Sequence, residues 1–178
     1  MEVWEELKID PRKGARRLVA EYAARLSGVA RMLATDDRDA EELVFRTLER
    51  VCAKIGKYRP EGSFFAWMCA ILRNFWKMDL RKRGIEMISS GAAEDLPEIP
   101  TATYRELLEN AAVDRVRDAL SRLSPALREV VALRYFEDMP LEEIARCLAI
   151  PEGTVKSRLH NAKAALFVIL GGNGHGRK

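Results

Sequence analysis

Apolar residues recur along this chain at helical spacing, and no stretch shows the two-residue alternation of a strand. The clearest stretch runs from Leu141 to Ile169. Leu141, Ile144, Ala145 and Leu148 fall at the i, i+3, i+4, i+7 positions of one buried helical face. Ala149-Ile150-Pro151 then breaks the pattern, because the residue before a proline is pushed out of the helical region. Pro151 suits the first turn of a new helix, where its missing N–H leaves no bond unmade. That helix carries Val155, Leu159, Ala162, Leu166 and Ile169 on one side and Ser157, His160, Asn161 and Ala164 on the other, with Lys156 and Lys163 flanking. An apolar back and a small, polar, basic front fit a major groove, so the pair predicts a helix-turn-helix. The plainer reading is a helical corner with a solvated face. Against it, Glu142, Glu143 and Glu152 sit at helix starts, where the macrodipole favours them, and the second exposed face keeps its cations.

The rest of the pattern is also helical. Asp10-Pro11 is a helix start, and Ala15, Leu18, Tyr22, Leu26, Val29 and Leu33 trace its stripe. Thr35-Asp36-Asp37 ends that helix and opens the next, which turns Leu43, Val44, Thr47, Leu48 and Val51 inward and leaves Glu42, Arg46, Glu49 and Arg50 on a charged surface. That surface is either a solvated face or a docking face. A Gly- and Pro-containing loop over 56–62 follows, and Ser63 caps a helix to about Arg83 whose stripe is Phe64, Trp67 or Met68, Ile71, Leu72 and Phe75. Beyond 84–103, which shows no sustained period, Tyr104 begins a helix with Leu108, Val113, Val116, Leu120 and Leu123 inward. Ser124-Pro125 caps another that buries Leu127, Val130, Val131 and Phe136.

Composition narrows the class. Of 178 residues, 48% are hydrophobic and 32% charged, the balance of a foldable soluble chain. No apolar run approaches the roughly 20 residues of a membrane span, and the acidic start MEVWEELKID lacks the form of a signal peptide, so a cytoplasmic protein without membrane insertion is expected. Cys52, Cys69 and Cys147 are far apart and form no CxxC pair, which predicts buried reduced thiols and no metal site. With no Gly-rich phosphate loop and no nucleophile–base pair, neither an enzyme, a cofactor nor a small-molecule substrate is expected.

Charge is unevenly spread. The net +3 divides into +5 over residues 1–83, −4 over 84–103 and +2 over the remainder. Two basic modules on an acidic connector suit two contacts with one polyanion. Within the first module Tyr58, Phe64, Phe65, Trp67, Phe75 and Trp76 crowd together, and Arg73, Lys77 and Arg81 recur every four residues with Lys82 and Arg83 behind them. Single-stranded nucleic acid needs both features, since bases stack while phosphates pair with cations. Most of these aromatics are nevertheless expected in the core, with one or two facing outward.

In this order the parts resemble a bacterial RNA polymerase sigma factor of the extracytoplasmic-function (ECF) group. The first half resembles sigma region 2 through Asp39-Ala40-Glu41-Glu42-Leu43-Val44, Gly62-Ser63-Phe64-Phe65-Ala66-Trp67, Arg73-Asn74, Asp79 and Arg81-Lys82-Arg83. The second resembles region 4 through Leu123-Ser124-Pro125, Arg134-Tyr135-Phe136, Leu141 to Ala145 and Pro151 to Leu159. The resemblance implies an all-α fold of two small helical domains: region 2 over 1–83, a flexible acidic linker over 84–103, region 4 over 104–170 and a disordered tail over 171–178.

It further implies binding to core RNA polymerase and promoter DNA, and restraint by an anti-sigma factor. Polymerase would be met by Asp39, Glu42, Leu43, Arg46, Thr47 and Arg50. The minus-10 element would be read as single strand by Tyr58, Gly62, Ser63, Phe64, Trp67, Arg73, Asn74, Lys77 and Arg81, with a flipped base held near Gly62, Ser63 and Phe64. The minus-35 element would be read as duplex by Thr154, Lys156, Ser157, Arg158, His160, Asn161 and Lys163, and the linker would thread toward the RNA exit path. The chain departs from the family's usual pattern at Phe45-Arg46, where Gln-Glu is common, at Ala149, where Gly is common, and at Asn161, where Arg is common. The rival expectation is a helix-turn-helix regulator that binds duplex DNA without polymerase.

Overall fold

The computed structural model describes residues 1–85 and 113–170, and the regular structure among them is helical throughout. Helix α1 spans Val3–Ile9, α2 Pro11–Leu33, α3 Asp37–Lys54 and α4 Phe64–Lys82. A single 3₁₀ turn, Ile55–Lys57, follows α3. After the undescribed segment come α5 (Val113–Ser121), α6 (Pro125–Val131), a π-helical turn at Ala132–Phe136, α7 (Leu141–Leu148) and α8 (Glu152–Ile169). Beyond Ile85 the expected acidic linker lies outside the described residues, as do the helix start at Tyr104 and the tail over 171–178.

Local chemistry sets several of these boundaries. The Asp10 carboxylate accepts from the amides of Arg12 and Lys13, and Pro11 fills the first turn of α2. Asp36 accepts from the Asp39 amide, and Ser63 accepts from Ala66 at 3.3 Å. Ser124 stands at the cap position of α6, but its buried hydroxyl has no partner; the first amides of α6 bond the Ser124 carbonyl instead. The expected side-chain cap is therefore absent.

The four helices of the first half pack with α2 against α1 and α3, and α3 against α4. In the second half α8 lies against α5, α6 and α7. The halves also meet each other, with α4 against α7 and α2 against α5, α6 and the π turn. One core cluster runs through both, joining Leu18, Leu26, Met68 and Leu72 to Val130, Leu133, Ile144 and Leu148. A smaller cluster gathers Val116, Leu120, Leu127, Val131, Ala162 and Leu166. Fully burying each such aliphatic side chain contributes about 1.5–3 kcal/mol. Arg25 reaches Glu137 at 3.0 Å, Arg117 reaches Asp37 at 3.2 Å, and Arg128 donates to the Leu33 carbonyl at 3.3 Å, so polar ties line the seam as well.

Three positions differ from the periodicity. Phe136 is 39% exposed, and Tyr135 packs on the core in its place. The wide π turn holds more residues per turn than an α-helix, which rotates the following side chains out of register. In α4 the open choice between Trp67 and Met68 falls to Met68, which is fully buried, and Trp76 is buried where the stripe predicts Phe75. Ala164 is buried although it opposes the main stripe of α8, because three helices pack around α8 and widen its buried arc.

Candidate nucleic-acid interface

The corner between α7 and α8 is tight because Ala149 adopts the left-handed conformation, with φ of 53° and ψ of 47°. Its amide and that of Ile150 bond back to Arg146 and Ala145, closing the end of α7. Alanine in this region is strained by about 1–2 kcal/mol relative to right-handed geometry. Glycine would avoid that strain, and the corner forms without it. Val155 and Leu159 bury the back of α8, which turns its first two turns outward.

On that outward face Lys156, Ser157 and His160 lie in solvent. Lys156 makes an exposed i, i+4 pair with Glu152 at 2.9 Å, and the Ser157 hydroxyl donates to the Thr154 carbonyl at 3.1 Å. Thr154 and Asn161 are half-buried at the edge of the same face. Lys163 lies further along, its ammonium 6.0 Å from the centroid of the Tyr135 ring. Burial first, and Arg134 second, push its pKa below the ordinary lysine value. Arg158 points the other way, into the seam, where it donates to Glu129 at 3.0 Å.

The loop before α4 is organised by Tyr58. Its buried ring meets Phe64 and Trp67 at centroid distances of 5.0 and 5.2 Å, and its hydroxyl donates to the Gly62 carbonyl at 2.9 Å. Phe64 is buried too, so Tyr58 and Phe64 pack with each other instead of standing free as stacking platforms. In this arrangement their apolar area is largely covered by each other and by the core. Half-buried Trp67 lines a surface cleft of about 210 Å³ together with an edge of Tyr58. Gly62, Ser63 and Trp67 form one wall of this cleft, and Glu143, Arg146 and Cys147 of α7 form the other. Arg146 also donates to the Glu61 carbonyl at 2.9 Å.

Along α4, Asn74 and Arg81 lie in solvent and Lys77 is half-buried. Burial first, then the neighbouring Arg73 and Arg81, depress the Lys77 pKa. Arg73 is turned inward and donates to Glu129 at 2.7 Å. Glu129, 1% exposed in α6, thus holds one arginine from each half. Periodicity gave no sign of this residue, since an acid within an apolar run becomes legible only once its partners are known.

The polymerase-facing set on α3 divides in the same way. Leu43 and Thr47 are core residues, and the Thr47 hydroxyl donates to the Leu43 carbonyl at 2.7 Å. The buried stripe of α3 passes through both. Glu42 and Arg50 are exposed. Asp39 pairs with Arg83, and Arg46 pairs with Asp79 at 2.8 Å while lying 4.5 Å over the Phe75 ring. Between them Phe45 is 62% exposed. Among the described residues, no group of acids, histidines and cysteines has the form of a metal site, and no helix is long and apolar enough to cross a membrane.

Comparison with known proteins gives both halves a family. The model of Sigma-70 region 2 matches residues 18–85, and that of Sigma-70, region 4 matches residues 114–166. The ECF RNA polymerase sigma factor SigL of Mycobacterium tuberculosis is 37% identical over 161 residues, covering 87% of this chain and 88% of the relative. The ECF RNA polymerase sigma factor SigE of Mycolicibacterium smegmatis is 30% identical over 152 residues; the match covers 84% of this chain and spans 58% of that longer relative. Among solved structures, the sigma factor RpoE in a co-crystal with the anti-sigma factor NepR from Bartonella quintana aligns with a TM-score of 0.69 at 25% identity, over 87% of this chain and 95% of that one. With both regions matched in order and a relative aligned over nearly its whole length, this chain belongs to the ECF sigma factors of the sigma-70 family.

Proposed function

We propose that the protein binds core RNA polymerase and directs it to promoters, reading the minus-35 element as duplex through α8 and the minus-10 element as melted strand through the loop before α4 and α4 itself. The observation that carries this reading is the solvent face of Lys156, Ser157 and His160 on a buried apolar back. Groove-reading helices of this kind present their N-terminal residues to base edges. Support on the other half comes from α4, which carries half-buried Trp67 near its start and Asn74 and Arg81 in solvent further along.

Promoter binding then includes an opening step. Arg73 and Arg158 are held by Glu129, and α7 forms a wall over the loop that would receive a flipped base. Separation of the halves frees the Arg73 guanidinium from Glu129, and a DNA phosphate replaces Glu129 as its partner, while Arg158 keeps its pair within the second half. Polymerase docks on the exposed part of α3, at Glu42 and Arg50 with Asp39 and Arg46 beside them, while Leu43 and Thr47 fix that helix from behind. The acidic linker threads toward the RNA exit path. An anti-sigma factor restrains the protein by holding the closed arrangement, and the similarity to a sigma factor crystallised with NepR supports such a partner. The protein works where the polymerase does, in the cytoplasm.

Run-off transcription from a fragment library of the source genome, using bacterial core polymerase with and without the protein, tests the reading. Transcripts that require the protein support it. Duplex binding without any polymerase association would favour a plain helix-turn-helix regulator.

A further inference from the structure

Helix α1 precedes the region 2 match, which begins at residue 18, yet it touches the loop that the proposed function assigns to the melted strand. Its docking is unusually close. A Cβ at Gly14 of α2 would stand 2.5 Å from the Leu7 backbone, so only glycine allows the two helices to cross there. Val3 and Leu7 are buried beneath α1, and Glu6, 2% exposed, takes Lys13 at 2.6 Å and Arg17 at 2.8 Å. From this fixed base Trp4 sets its ring edge-on to Tyr58, with centroids 5.6 Å apart, and Lys8 covers the indole at 4.8 Å. Tyr58 in turn contacts Phe64 and Trp67 and donates to the Gly62 carbonyl.

We propose that α1 is a strut for the minus-10 loop, with Trp4 as a positioning residue that holds Tyr58, and through its hydroxyl the Gly62 backbone, in the geometry that accepts an unstacked base. The inference rests on the reading that this loop receives the melted strand. The loop needs such an anchor because residues 56–62 contain two glycines and a proline and form no helix beyond the turn ending at Lys57. In the closed arrangement Arg146 also steadies it at the Glu61 carbonyl. That bond goes when the halves separate, leaving Trp4 and Tyr58 to keep the loop ordered when DNA arrives. Order supplied in advance strengthens binding without adding a contact to DNA.

The test uses holoenzyme assembled from the full chain and a fluorescent single-stranded oligonucleotide carrying the non-template minus-10 sequence of a promoter found by run-off transcription. Trp4→Ala is expected to weaken strand binding roughly three- to tenfold, the scale of one lost aromatic pair. Gly14→Ala, which lifts α1 without touching the loop, is expected to do the same, and Trp4→Phe to restore binding to within about twofold. Core polymerase affinity and upstream duplex binding stay at the wild-type level in all three. Wild-type strand affinity in both Trp4→Ala and Gly14→Ala overturns the strut. An equal fall in strand, duplex and polymerase binding overturns it as well, since α1 would then serve only general folding. If the wild-type holoenzyme does not prefer the minus-10 strand to a scrambled one, the assignment of the loop itself fails, and the strut with it.

Discussion

Arg73 and Arg158, one from each half of the chain, share a single carboxylate: Arg73 lies 2.7 Å from one oxygen of Glu129, and Arg158 lies 3.0 Å from the other. The carboxylate is almost wholly buried, so both guanidiniums are drawn into the seam between the halves. Taking one member from such a buried group leaves charge uncompensated, at about 3–5 kcal/mol. The node therefore ties closure of the protein to concealment of Arg73, a cation proposed to meet DNA, while Arg158 is paired with Glu129 within its own half.

Glu129→Gln keeps the shape of the side chain and removes its charge. It is expected to lower stability by about 3–5 kcal/mol and to let the halves separate more readily. Small-angle scattering of the free protein then gives a larger radius of gyration than wild type. Scattering identical to wild type would show that the closed arrangement does not depend on this charge.

Lys156→Ala combined with His160→Ala removes most of the exposed face of α8 without touching its buried back. Loss of one phosphate contact and one base-edge contact is expected to weaken promoter binding by about 1–3 kcal/mol, while affinity for core polymerase is unchanged. Filter binding to promoter DNA and to polymerase, run in parallel, separates the two. An equal loss of both activities contradicts the assignment of this face to DNA.

Acid bears on α1. Hydrogen bonds from Lys13 and then Arg17 hold the Glu6 carboxyl below its ordinary value of 4.5. Its stabilising effect is complete above the unfolded value and is lost as pH falls through the lowered folded value. Trp4 fluorescence, read in a variant with the other tryptophans replaced by phenylalanine, is expected to stay constant from pH 7 to about 5 and to change below the ordinary carboxylate value. Glu6→Gln should remove that acid transition; its persistence would assign the transition to another group.

The cysteines report on opening. Burial pushes the Cys69 thiol well up and raises Cys147 to about 12, and Cys147 lies on α7 facing the seam. Because the thiolate is the reactive form, both are expected to resist maleimide in the free protein, with half-buried Cys52 modified first. Assembly into holoenzyme is expected to speed modification of Cys147, read by mass spectrometry after a short pulse. An unchanged rate would mean that α7 stays on α4 in the assembled enzyme.

Much of the fold was legible because helical burial is a local periodic property. Leu18, Leu26, Val29 and Leu33 fall inward as their spacing predicts, and Asp10, Asp36 and Ser63 cap helices through their own side chains. Helix α1 was not legible: at seven residues it is too short to show a period, and it owes its place to Gly14 and Glu6 on contact with α2. Phe136 was misplaced because a π turn changes the count within one turn, which composition does not announce. Among the site residues, exposure on α8 followed from spacing for Lys156, Ser157 and His160. The inward turn of Arg73 and Arg158 did not, because their shared partner lies 56 residues from one and 29 from the other. Long-range charge pairing belongs to tertiary structure, and a one-dimensional pattern carries no trace of it.

One half of this protein is proposed to read melted DNA while the other reads duplex. Permanganate reactivity of minus-10 thymines tests it most directly, on a promoter found by run-off transcription and with upstream protection recorded on the same template. Reactive thymines are expected with wild-type holoenzyme, and with Asn74→Ala a clear fall in reactivity while upstream protection is kept. Undiminished reactivity in Asn74→Ala, or protection and reactivity lost together, would contradict that division of labour.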